Sequence, residues 1–128
     1  MNKRNPNGER RKSPRLVMDL PIEYRVMSAP YAHGGIVVNG SEEGLLINSV
    51  KDMPVGTKLN IAVLFPKGYE LNHCKVVAEI IRKDIHWEED WEGYEYGLKF
   101  LEIVEEDRQK LKGLLSGKFH LEEAGETS

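Results

Sequence analysis

The chain holds one cysteine, Cys74, among its 128 residues, so no intramolecular disulfide can form and no Cys/His zinc pattern can be written. Such sparing thiol use suits a reducing compartment, and the expected location is cytoplasmic. No apolar run reaches the length of a membrane span, and the basic N-terminus lacks the apolar segment of a secretory signal. Positive charge is in deficit overall: 18 Lys and Arg against 21 Asp and Glu leave a net charge of −3, unlike a surface built throughout for nucleic acid. Aromatics interleaved with cations, which single-strand stacking platforms show, are also lacking. Catalytic and metal constellations fare no better. His73 and Cys74 are neighbours on an expected strand, so they point to opposite faces and cannot converge on one atom. His86 with Glu88, Glu89 and Asp90 lacks a calcium-loop spacing and reads as solvated surface.

The scarce positive charge is concentrated. Arg10-Arg11-Lys12-Ser13-Pro14-Arg15 sets four cations immediately before the first apolar run. Each guanidinium is a planar, permanently charged fork matched to phosphate oxygens or to the O6/N7 edge of guanine. Pro14 biases Ser13 away from helix, which makes residues 10–15 an extended arm. Residues 1–9, with no apolar side chain but the first, are expected to form a disordered lead-in.

From there to Phe100 the periodicity is that of strands. Ile22, Tyr24 and Val26 alternate with polar neighbours, and Pro21 predicts an edge or a bulge in that strand. Ser28 to Gly35 reads as a connection. Ile36–Val38 and Leu45–Ile47 are short β-rich runs on either side of a turn-rich segment, Asn39-Gly40-Ser41-Glu42-Glu43-Gly44. Leu59, Ile61, Val63 and Phe65 form a further strand, which Pro66-Lys67-Gly68 joins to another carrying Cys74, Val76, Ala78 and Ile80 and ending near Asp84. Ile85 to Gly93 reads as an acidic loop bearing Trp87 and Trp91, and Tyr96, Leu98 and Phe100 as the last strand. The period then changes. Glu105, Glu106 and Asp107 suit a first helical turn, and Leu111, Leu114 and Leu115 recur at helical spacing, predicting a helix over about 105–116 with Gly117 as its stop. Residues 118–128 read as a flexible tail. The expected fold is all-β with a terminal helix: a small six-stranded antiparallel barrel capped by that helix, occupying residues 10–117 with the arm included.

Two spacings carry chemistry in combination. The arm spells RxxxR with Arg11 and Arg15, and 24 positions beyond Arg15 the turn spells NxSxxG with Asn39, Ser41 and Gly44. Together with Tyr96-Gly97-Leu98-Lys99-Phe100, which looks like a YGxxF ending, the chain from Arg10 to Leu115 resembles the PilZ domain family of bacterial cyclic di-GMP receptors. The resemblance implies a non-catalytic receptor without cofactor, whose barrel holds the ligand on its outer surface while the arm folds over it. Its binding residues would be Arg10, Arg11, Arg15, Asn39, Ser41 and Gly44. Arg11 and Arg15 would supply forks, Asn39 an amide for a guanine, Ser41 a hydroxyl, and Gly44 room for close approach. In domains of this resemblance an arginine at the place of Arg10 accompanies two mutually intercalated ligands. A downstream protein partner is expected, with the Trp87/Trp91 loop as a candidate surface. The alternatives are a single-stranded nucleic-acid-binding barrel and a PilZ-like adaptor that ignores nucleotide, and a related cyclic dinucleotide stays open as ligand.

Overall fold

Residues 16–89 and 91–116 are described in the computed structural model. Six strands follow in order: β1 (Leu16–Val26), β2 (Ala32–Gly40), β3 (Gly44–Ser49), β4 (Lys58–Lys67), β5 (Glu70–Glu88) and β6 (Trp91–Glu102), and a helix, α1 (Glu105–Leu115), comes after them. All neighbouring strands are antiparallel, and the order β1-β2-β3-β6-β5-β4 closes into a barrel. Ring closure leaves little strand edge open to other chains.

Period-2 alternation decides what fills the barrel. Met18, Leu20, Ile22 and Tyr24 of β1, Leu59, Ile61, Val63 and Phe65 of β4, Cys74, Val76, Ala78 and Ile80 of β5, and Tyr96 and Leu98 of β6 all belong to one buried cluster. Full burial of each large apolar side chain contributes about 1.5–3 kcal/mol. The two core tyrosines keep their hydroxyls paired. Tyr24 Oη lies 2.6 Å from Ser49 Oγ, while Tyr96 Oη donates to Lys51 O at 2.5 Å and accepts from the Met53 amide at 2.8 Å. Burial pushes both phenols above their ordinary pKa. The Tyr96 bonds fasten the segment after β3 across one end of the barrel.

Helix α1 covers the part of β5 that β6 does not reach. Pairing of β5 with β6 starts at Val77, and the Lys75 amide instead donates to Asp107 Oδ1 at 3.1 Å. Leu111, Leu114 and Leu115 are buried beneath the helix. Its first turn carries Glu105, Glu106 and Asp107, which favour the positive end of the helix dipole where Val104 provides no side-chain cap.

Three expectations need correction. Asn39 and Gly40 belong to β2 and not to the turn, because both stay paired with β1 and β3, at the rungs Val17↔Asn39↔Leu46 and Leu16↔Gly40↔Leu45. The preceding connection is shorter than expected, β2 beginning at Ala32. The acidic segment after Asp84 is a projecting hairpin: β5 runs on to Glu88, with rungs Ile85↔Tyr94, His86↔Gly93 and Trp87↔Glu92. Its carboxylates suggested a loop, yet its backbone stays paired as far as the rung Glu88↔Trp91. Pro21 itself pairs regularly with Ile36 and lies just before the pairing of β1 with β4 begins at Ile22; the bulge of β1 comes earlier, between Val17 and Leu20, where Asp19 takes a positive φ of 54°. Aspartate is among the few residues that adopt this conformation readily.

Candidate ligand-binding site

The face that carries the motif is fixed by its inward neighbours. Leu45 and Ile47 of β3 and Tyr96 and Leu98 of β6 point into the core, so Gly44 and Leu46, and Gly97 and Lys99, face outward. Paired residues share a side of the sheet, and Asn39 opposite Leu46 therefore faces outward too. Leu46 is buried although it belongs to this outer face and not to the core cluster. Gly40, one residue on, faces inward: a Cβ there would lie 2.7 Å from Leu45 Cδ2 and 2.9 Å from Met18 Sδ.

Ser41, Glu42 and Glu43 make the turn. The Ser41 amide donates to Gly44 O at 2.9 Å, and the Ser41 hydroxyl accepts from the Glu43 amide at 3.1 Å. That leaves the hydroxyl hydrogen free to be donated elsewhere. The turn is pinned to β6 by the Phe100 amide, which donates to Glu43 O at 2.9 Å. Gly44 is required here for a reason other than the expected one. A Cβ at this position would stand 1.9 Å from Leu98 O, so the close approach it allows is that of the β6 backbone.

The structure thus brings Asn39, Ser41 and Gly44 to one end of the β2–β3 hairpin, while Arg10, Arg11 and Arg15 lie outside the described residues. Arg15 nevertheless joins β1 directly at Leu16, which pairs with Gly40, and Val17 pairs with Asn39. Two outward cations close to this face were not singled out from the sequence. Lys99 pairs with Gly44, and Arg82 of β5 pairs with Gly97. The signal that could have found them is the glycine of Tyr96-Gly97-Leu98-Lys99-Phe100, because a strand glycine marks a place where something lies close over the backbone.

Two hollows lie away from this face. A cleft of about 720 Å³ follows the seam between α1 and strands β1, β4 and β5, lined by Arg25, Asn60, Lys75, Val104 and Asp107 among others. A smaller one of about 180 Å³ sits on the projecting hairpin among Val50, Ile85, Trp87 and Tyr94. Trp87 is 72% exposed and so does not tuck back against the barrel, while the Trp91 side chain lies outside what is described. Among the described residues no group of three or more His, Cys, Asp or Glu is placed to hold a metal ion, and no helix is long and apolar enough to cross a membrane.

Ring order, terminal helix and motif-bearing hairpin define a small helix-capped antiparallel barrel. The chain belongs to the PilZ domain family, which matches it over residues 9–117. Similar solved structures include the inhibitor of motility MotI/DgrA of Bacillus subtilis, 18% identical with a TM-score of 0.67, the likeness covering 85% of this chain and 50% of that one. The PilZ domain of YcgR from Escherichia coli, solved with c-di-GMP, is 12% identical with a TM-score of 0.66, covering 93% of this chain and 99% of that one. A longer structure of Escherichia coli YcgR in complex with c-di-GMP is 13% identical with a TM-score of 0.65, covering 93% of this chain and 51% of that one. The present chain therefore spans about half the length of the Bacillus protein and of the longer YcgR chain. No curated protein sequence matches it.

Proposed function

We propose that this protein is a non-catalytic, cytoplasmic receptor for cyclic di-GMP. The observation that carries the reading is that both motifs stand complete in a PilZ chain, and that the strand following Arg15 pairs with Asn39 and Gly40. That register supports an arm tethered beside the turn. Arg11 and Arg15 fork onto phosphate or guanine edges, and Arg10 stacks on or neutralises a second, intercalated ligand. Asn39 contributes its amide to a guanine and Ser41 its remaining hydroxyl hydrogen, while Gly44 acts indirectly by letting the hairpin close against β6. Ordering the arm over the ligand costs conformational entropy and changes the surface offered to a partner. The exposed Trp87 and Ile85, beside the hollow on the projecting hairpin, form the surface best suited to that partner.

Titration calorimetry with cyclic di-GMP, cyclic GMP-AMP and a short single-stranded oligonucleotide tests this reading against its rivals. Binding of cyclic di-GMP with no heat from the oligonucleotide is expected. Binding of the oligonucleotide alone would favour the nucleic-acid barrel, and silence with all three the adaptor.

A further inference from the structure

Three consecutive rungs of the barrel wall line four residues up across the motif. Asn39 of β2 pairs with Leu46 of β3, Leu46 with Gly97 of β6, and Gly97 with Arg82 of β5. All four lie on the outer face, as the inward neighbours of Leu46 and Gly97 require. Adjacent strands are about 4.8 Å apart, so three steps separate the Asn39 and Arg82 backbones by roughly 14 Å.

The Arg82 side chain shortens that distance. A Cβ built on Gly97 would lie 3.3 Å from Arg82 Cβ, 3.7 Å from its Nε and 3.9 Å from its Cζ. The stem and guanidinium of Arg82 are therefore laid across the bare backbone of Gly97, in the direction of Leu46 and Asn39. Any larger residue at position 97 would occupy that path. Only a weak tie opposes release of this guanidinium: its one ion pair among the described residues, Nε to Asp84 Oδ2 at 3.4 Å, joins side chains that are both more than half exposed.

We infer that Arg82 is a further ligand-binding residue of the proposed cyclic di-GMP site, its planar guanidinium brought over Gly97 to meet a guanine of the nucleotide bound at Asn39. The inference rests on the receptor reading above. Remaining distance and ligand size agree, because with the guanidinium over Gly97 about two strand spacings are left to Asn39, which is roughly the reach of a purine with its ribose. The chemistry agrees as well. A guanidinium plane lies flat on a purine face or forks onto its O6/N7 edge with two fixed parallel donors, whereas an ammonium is a point charge with neither plane nor fork. This assigns part of the recognition to β5, the strand that continues into the hairpin of Trp87.

The test is calorimetric titration of cyclic di-GMP into the parent, Arg82→Ala, Arg82→Lys and Gly97→Val, with melting curves of each. Arg82→Ala is expected to melt with the parent, being an exposed surface change, and to bind about 3- to 30-fold more weakly. Arg82→Lys should remain weakened, since it keeps the charge and loses the plane. Gly97→Val, which keeps Arg82 but fills its path, should weaken binding in the same direction. Parent-like binding by Arg82→Ala would overturn the inference and leave the receptor reading standing. Parent-like binding by Arg82→Lys would overturn the planar contact. A parent that does not bind cyclic di-GMP at all would remove both readings together.

Discussion

Replacing Gly44 by alanine asks whether this motif glycine serves the barrel or the ligand. The new Cβ would stand 1.9 Å from Leu98 O, 3.0 Å from Leu98 C and 3.2 Å from Lys99 Cα. All three atoms are backbone of β6, so no rotamer change relieves the clash and the Gly44↔Lys99 rung must open. Overpacking of this kind costs about 1–3 kcal/mol. Opening the rung also pulls on the bond from the Phe100 amide to Glu43 O, whose loss adds about 1 kcal/mol. A total of about 2–4 kcal/mol lowers the melting midpoint of a domain this size by roughly 8–18 °C. Differential scanning calorimetry without ligand measures it. Gly113→Ala is the control, because a Cβ on that helical glycine meets nothing within 4 Å and should stabilise the protein by about 0.5–1 kcal/mol. A Gly44→Ala protein that melts with the parent, yet fails to bind cyclic di-GMP, would refute the structural account and return this glycine to the ligand.

Three other outcomes concern the arm and the buried thiol. Arg11→Ala and Arg15→Ala should each weaken cyclic di-GMP binding about 5- to 100-fold with an unchanged circular dichroism spectrum, the loss of one bidentate charged contact. Parent-like affinity in both would take the arm out of the mechanism. Arg10→Leu should lower the calorimetric stoichiometry from about two ligands per chain toward one while the fold is kept, because a second dianion would then lack its compensating cation; a parent stoichiometry of one without magnesium contradicts this. Burial, with Asp107 nearby, raises the Cys74 thiol from 9.0 to about 12, so the native protein should resist alkylation at pH 8 until it is denatured. The sign for stability follows from linkage: the unfolded thiol ionises first, so this contribution is intact below pH 9 and lost as pH rises toward 12, which chemical denaturation as a function of pH can follow.

Alternation made most of the barrel legible. Leu59 to Phe65 and Cys74 to Ile80 show one buried face in the sequence because every second residue enters the core. The helix was legible from its acids and its leucine spacing. What misled was composition taken as a sign of irregular backbone. Asn39-Gly40 is a hairpin-turn pair by local chemistry, yet pairing on both sides keeps it in β2 and moves the turn to Ser41–Glu43. Glu88 to Glu92 looks like loop by charge, yet cross-strand pairing of the hairpin requires only that its backbone match. At the site, the motif residues could be read as a pattern, but the reason for Gly44 could not, since its neighbour Leu98 is 54 positions away in sequence. Arg82 was illegible for the same cause. It meets the motif only through a register that passes across two intervening strands.

The two halves of the proposed site divide the energetics between them. On the hairpin, Ser41 is 6% exposed with its hydroxyl oxygen already engaged by the Glu43 amide, and Gly44 is packed on β6, so this half is held in place before any ligand arrives. Such a half costs little to order and discriminates by shape and by a few neutral hydrogen bonds, each worth about 0.5–1.5 kcal/mol. Its own turn holds no cation to meet a dianion: Glu42 and Glu43 are exposed and carry the wrong sign, and Lys99 opposite Gly44 offsets only one of them. On the proposed reading the attraction would come mainly from the arginines, three on the arm and, by the inference above, one from β5. Exposed charge pairs are screened over about 8–10 Å at ordinary ionic strength. Affinity would then depend on the arm reaching contact distance, where its forks exclude water and screening is weak. A preformed platform and a cationic strap would make a receptor in which specificity and switching reside on different segments of the chain. In that proposed receptor the platform would recognise the nucleotide, and the strap would convert its arrival into a changed surface.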